Sequence, residues 1–130
     1  MTSIAYVDAS ALVKLVLAEP ESGALERWYV ESDRVLTSLV GIIETRRAVA
    51  RRPHDPTQLE DVLGRIEVLG INARLAQSAA LIRPTEVRTL DAIHLATALG
   101  VGPGLTSFVT YDDRLAAAAR GLGLAVVSPA

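Results

Sequence analysis

Apolar residues recur along this chain in two spacings. Short runs rich in β-branched and aromatic residues, Ile4-Ala-Tyr-Val7, Val35-Leu-Thr-Ser38, Ser107-Phe-Val-Thr110 and Leu124-Ala-Val-Val127, have the pattern of strands buried on both faces. Longer stretches with helical composition or spacing lie between them: 8–17, 21–31, 39–52, 73–82, 90–99 and 113–120. Pro53-His-Asp-Pro56 breaks the third helix. Beyond the break, Leu59, Val62, Leu63, Ile66 and Leu69 keep helical spacing up to a stop at Gly70, and Val68–Ile71 reads as a brief strand. Gly-Val-Gly-Pro-Gly104 is a loop. Short apolar strands alternating with helices predict an α/β fold with a mainly parallel sheet covered on both faces.

Length and composition narrow this picture. One hundred and thirty residues, half of them hydrophobic, suit a single domain over 1–130 with its own core. The absence of cysteine excludes disulfides and thiolate metal sites. The N-terminus lacks a basic region, and Asp8 and Lys14 interrupt its apolar run, so no signal peptide is read and a soluble cytoplasmic protein is expected. A net charge of −2 argues against a surface coated with positive charge. Twelve of the 13 basic residues are arginine, however, and Arg46, Arg47, Arg51 and Arg52 fall together, either as phosphate contacts or as a solvated helix face.

Four acids stand out against this background. In open parallel sheets, sites form at the carboxyl ends of strands, where the next helices begin. Asp8 follows the first strand and Asp112 follows Val109-Thr110-Tyr111. Asp91 lies in the first turn of its helix, and Glu44 stands about a turn and a half into the helix after Ser38. Aspartates at such places also serve as helix caps. Thr110-Tyr-Asp-Asp113 has capping-box spacing with Thr110 as cap, and Thr89 precedes the Leu90 helix, so on this reading neither Asp112 nor Asp91 is needed for capping. Glu44 has Arg47 at i+3 as an ordinary ion-pair partner. A helical wheel puts Leu39, Ile42, Ile43, Val49 and Ala50 in the buried stripe, with Glu44, Arg47 and Arg51 off its centre. Arg46 falls inside the stripe, where its stem would pack on another element or subunit.

Clustered carboxylates repel one another unless a cation joins them, and an all-oxygen donor set selects Mg²⁺ or Mn²⁺. Such ions support phosphoester hydrolysis. His94, one turn from Asp91, reads as a packed or hydrogen-bonded residue rather than a general base, and Lys14 as solvent-facing. Two other readings stand beside the nuclease. One is a small-molecule phosphohydrolase with Asp8 as nucleophile, disfavoured because Asp8-Ala-Ser10 lacks a second acid two residues on. The other is a catalytically silent protein-binding module.

Tyr-Val-Asp8-Ala-Ser10, Glu44-Thr-Arg-Arg, Leu90-Asp91-Ala-Ile-His-Leu-Ala-Thr-Ala and Val-Thr110-Tyr-Asp112-Asp-Arg-Leu, in this order, resemble the PIN-domain ribonucleases and, within them, the VapC-type toxins of toxin–antitoxin pairs. The resemblance runs essentially from end to end. It implies a three-layer α/β/α sandwich and a Mg²⁺- or Mn²⁺-dependent endoribonuclease leaving a 5′-phosphate and a 3′-hydroxyl. It also implies a homodimer and a cognate antitoxin that blocks the site. On that pattern Asp8 and Asp91 are the principal metal ligands, Glu44 and Asp112 complete the cluster, and Ser10 and Thr110 support it. Asp113 is the poorer candidate for the role of Asp112.

Overall fold

The computed structural model describes residues 2–130. The chain runs β1 (Ile4–Val7), α1 (Ala9–Val16), α2 (Ser22–Glu31), β2 (Arg34–Ser38), α3 (Leu39–Ala50), α4 (Pro56–Gly64), β3 (Glu67–Leu69), α5 (Ala73–Ala80), α6 (Thr89–Val101), β4 (Ser107–Val109), α7 (Asp113–Gly121) and β5 (Val126–Val127). All the strand pairings are parallel, in the order β3-β2-β1-β4-β5.

Strand alternation divides the core into two layers. Ala5, Val7, Val35 and Val109 face Leu12 and Leu15 of α1, Leu25 of α2, Val49 of α3, and Leu59 and Leu63 of α4. Their neighbours Tyr6, Leu36 and Phe108 point the other way, onto Leu95 and Ala98 of α6 and Leu115 and Ala119 of α7. This period-2 division makes each central strand apolar on both faces and gives the three-layer α/β/α sandwich. Tyr6 stacks on Phe108 with ring centroids 5.3 Å apart, a geometry worth about 0.5–1.5 kcal/mol beyond the area it buries.

Three local expectations are corrected. The helical spacing through Leu69 does not persist: α4 stops at Gly64, where the Arg65 N–H turns back to the carbonyls of Val62 and Leu63. Leu69 belongs to the edge strand β3, so the brief strand expected over Val68–Ile71 is present but lies at Glu67–Leu69, tied to β2 by a two-pronged Arg34–Glu67 ion pair at 2.8 and 2.7 Å. The buried face of α3 is Val40, Gly41, Thr45 and Val49, whereas Leu39 and Ile43 are 45% and 56% exposed. Small residues let α3 approach its neighbours closely, and Thr45 satisfies its own hydroxyl by donating to the Gly41 carbonyl at 2.7 Å. A Cβ at Gly41 would overlap the Thr37 hydroxyl and lie 3.4 Å from the His94 ring, so glycine is what permits α3, the end of β2 and α6 to meet. Arg46 lies outside the stripe and grips Glu60 of α4 at 2.7 and 2.9 Å, so its partner is another element of the same chain.

Candidate active site

Strand β1 is central: the chain leaves it toward β2 and β3, then returns to add β4 on its other side. The connections after β1 and β4 therefore diverge, and the crevice between them is where open parallel sheets bind ligands. Asp8 lies at the end of β1 and Thr110 at the end of β4, joined through the Asp8 N–H to the Val109 carbonyl at 3.2 Å.

Asp8 is only 4% exposed, and its carboxylate is held from three directions. Ser10 Oγ donates to Oδ1 at 2.7 Å, the Ala11 N–H reaches the same oxygen at 3.1 Å, and Thr110 Oγ1 donates to Oδ2 at 2.6 Å. Each hydroxyl has a single proton, so both are committed to Asp8. Their lone pairs are used as well: Ser10 accepts from the Tyr111 N–H at 2.9 Å and Thr110 from the Asp112 N–H at 3.0 Å. Two hydroxyls thus bind the start of α1 to the β4–α7 connection through one carboxylate. Burial pushes the Asp8 carboxyl above its ordinary range, against the lowering effect of its hydrogen-bond donors. Three of about four lone-pair positions are occupied, which leaves room for one further contact. So enclosed a carboxylate is poorly disposed as a nucleophile.

Capping is arranged differently from the sequence expectation. Asp112 itself caps α7, its Oδ1 accepting from the N–H groups of Arg114 and Leu115 at 2.9 and 3.1 Å, and Thr110 is spent on Asp8. Arg88 occupies the cap position of α6 without a side-chain bond, and Thr89 is the first helical residue rather than a cap. Asp8 likewise caps α1. Capping and site-forming are not alternatives here, because a carboxylate can spend one oxygen on the helix and keep the other.

Asp91 stands in the first turn of α6, half-buried and outside any ion pair among the described residues. Its carboxyl is pushed upward first by burial, then by the negative charge of Asp112, with Glu44 and Asp8 adding to it and His94 opposing. The four acids therefore share one electrostatic neighbourhood. Among the described residues, no three His, Cys, Asp or Glu side chains form a ready-made metal cage. The donor set nevertheless fits a hard divalent ion. It is all oxygen, it carries mutual repulsion that a cation relieves, and among the described residues no Lys or Arg lies within 4 Å of Asp8, Asp91 or Asp112.

Glu44 does not pair with Arg47. Its Oε1 lies 2.6 Å from Nε2 of His94, whose Nδ1 lies 2.6 Å from the Tyr6 hydroxyl. His94 is packed and hydrogen-bonded as expected, but this Tyr6–His94–Glu44 chain was not read from the sequence. The signal available was the alternation that sends Tyr6 to the same side of the sheet as α6. Lys14 is also corrected: only 14% of its side chain is exposed, it pairs with Glu21 at 2.8 Å and Glu19 at 3.7 Å, and it lies over the Tyr111 ring.

A groove of about 680 Å³ is lined by Glu44, alone of the four acids. Ser10, Glu44 and Tyr111 stand on its wall beside exposed Ile43 and Leu90, and Arg47 and Arg51 supply positive charge with no acid within 4 Å among the described residues. Such a groove can hold a polyanionic chain along its basic wall and bring it to Glu44. Among the described residues no helix is long and apolar enough to cross a membrane.

A parallel α/β sandwich with acids gathered at its switch point defines a class, and the PIN domain model matches residues 5–121, so the chain belongs to the PIN-domain family. Within that family its curated relatives are VapC ribonucleases. It is 43% identical over 129 residues to Ribonuclease VapC35 of Mycobacterium tuberculosis, covering 95% of this chain and 96% of that one. It is 39% identical over 125 residues to Ribonuclease VapC46 of the same organism, with the same coverage. Among solved structures it is similar to Mycobacterium tuberculosis VapC20, described as a sarcin-ricin loop cleaving toxin (TM-score 0.74, 20% identity, 96% of this chain and 99% of that one). It is also similar to VapBC2 of Rickettsia felis, bound to a DNA fragment from their promoter (TM-score 0.67, 16% identity, 98% and 99%). Divalent-metal dependence is typical of PIN-domain nucleases.

Proposed function

We propose that this chain is an endoribonuclease toxin of a type II toxin–antitoxin pair whose acidic edge holds Mg²⁺, with Mn²⁺ as substitute, through Asp8, Asp91, Asp112 and Glu44. The observation that carries the site assignment is the clasp of Ser10 and Thr110 on Asp8 at the switch point, inside the field shared with Asp91, Asp112 and Glu44. When bound, such an ion would supply Lewis acidity, offsetting charge that builds on a phosphate oxygen and lowering the pKa of water so that hydroxide is available near neutral pH. The chain's own residues do the rest. Ser10 and Thr110 keep Asp8 ionisable in a buried place, Arg47 and Arg51 hold flanking phosphates electrostatically, and the Ile43–Leu90 wall shields one side of the groove from water.

A cognate antitoxin is part of the reading. The groove that would receive RNA also suits a peptide carrying apolar side chains for Ile43 and Leu90 and a basic side chain for the acids. The likeness to VapBC2 supports such a partner. Residence in the cytoplasm and assembly as a homodimer belong to the same proposal.

The test is thermal unfolding in rising Mn²⁺, with RNA cleavage measured in parallel, for the wild type and Asp91→Asn. Ligand binding to the native state raises the melting temperature with concentration. The wild type should respond and cleave, and the variant should do neither. An equal Mn²⁺ response in both would remove Asp91 from the metal site.

A further inference from the structure

Glu44 is the one long carboxylate in the acidic group, and it projects from a helix flank rather than from a strand end. A free glutamate in such a place samples many rotamers, and fixing it at a ligand costs side-chain entropy. Here that ordering is already done. Oε1 receives a hydrogen bond at 2.6 Å from His94, whereas Oε2 has no hydrogen-bond partner among the described residues. A carboxylate only accepts, so Nε2 of His94 donates to Glu44, and Nδ1 on the other side of the ring lies 2.6 Å from the Tyr6 hydroxyl.

The ring itself has little freedom. His94 is 1% exposed, Tyr6 is fully buried, and the two rings meet edge to face with centroids 5.7 Å apart. Tyr6 is held in turn by its stack on Phe108, and Gly41 gives the His94 ring its space. The rigid centre of the sheet is thereby connected through two side chains to a group at the solvent edge, where Glu44 is 31% exposed. A histidine with a purely structural role could satisfy Nε2 on a backbone carbonyl. This one uses it on a carboxylate of the candidate site.

We propose that His94, anchored by Tyr6, is a positioning residue that holds the Glu44 carboxylate with one oxygen fixed and the other directed to a divalent cation. The inference rests on the metal-site reading given above. Outer hydrogen bonds of this kind typically change metal affinity by about 10–100-fold.

The experiment is titration of Mn²⁺ alone into the full chain, following free Mn²⁺ by electron paramagnetic resonance. The proteins are the wild type, Asp91→Asn, Glu44→Gln, His94→Leu, His94→Gln, Tyr6→Phe and the Glu44→Gln/His94→Leu double variant. His94→Leu should weaken Mn²⁺ binding about tenfold. His94→Gln places an amide N–H near the former Nε2 and should restore most of the affinity. The double variant should bind no more weakly than Glu44→Gln, because both changes remove one coupled interaction. Wild-type affinity in folded His94→Leu, or additive losses in the double variant, would overturn the proposal. If His94→Leu does not fold, Tyr6→Phe decides: weakened binding supports the relay, and wild-type binding overturns it. Unchanged binding in Asp91→Asn sinks the metal site and this inference with it. Loss there with full retention in His94→Leu sinks the inference alone.

Discussion

At the scale of single residues, the informative feature is how Asp8 is held. A buried carboxylate needs donors, and Ser10 and Thr110 supply them from two elements 100 positions apart. Thr110→Val keeps the shape but removes the donor to Oδ2 and the acceptor for the Asp112 N–H. It should cost about 1.5–3 kcal/mol in urea unfolding, the range for hydrogen bonds to charged groups. A cost near zero would mean that the hydroxyl is incidental. Asp91 gives the opposite sign. Its carboxyl is raised above the ordinary 3.8, so the native state keeps its proton to higher pH than the unfolded chain does. Stability from this group is fully present below 3.8 and is lost as pH rises through the folded value. With a chelator present, Asp91→Asn should therefore melt above the wild type near pH 7, with the gap narrowing toward pH 4. A variant less stable at neutral pH would contradict the repulsion argument. The positions of these acids were legible in the sequence because strand ends and helix starts were. Their division of labour was not, since the competition between Thr110 and Asp112 for the cap of α7 depends on where Asp8 lies in space.

At the scale of elements, strands and most helices were readable from apolar spacing, whereas the orientation of α3 was not. A wheel ranks faces by hydrophobicity, and α3 buries glycine and threonine while leaving Leu39 and Ile43 to solvent. Close approach decides the matter: the face that meets β2 and α6 must be thin. Gly41→Ala should destabilise the protein by about 1–3 kcal/mol, as overpacking does, and should weaken Mn²⁺ binding because the added methyl presses on the Thr37 hydroxyl and the His94 ring. Unchanged stability would show that α3 can move aside freely. The error at α4 has a similar origin. Leu69 keeps the spacing of the preceding helix and also falls in the stretch Val68–Ile71 read as a brief strand; the strand is there, one residue earlier at Glu67–Leu69, and the helical spacing overran it.

For the whole molecule, the order β3-β2-β1-β4-β5 explains why a chain of this length forms one acidic edge from parts dispersed along its sequence. The parallel, doubly covered sheet was legible from the alternation of apolar strands and helices, but strand order was not, because pairing partners leave no mark on periodicity. Assembly between copies is equally unmarked. Arg46, the one sequence hint of it, is engaged with Glu60 within its own chain. If the homodimer proposed above forms, light scattering at micromolar concentration should return twice the mass of 13.8 kDa. A monomer mass would remove that part of the proposal. The central place of β1 has a further consequence for synthesis. β1 and Asp8 are made before β4 and Thr110, which complete the surroundings of that carboxylate. A fragment carrying only β1, β2 and β3 lacks the strand that forms one wall of the crevice, so on the proposed reading it should cleave no RNA.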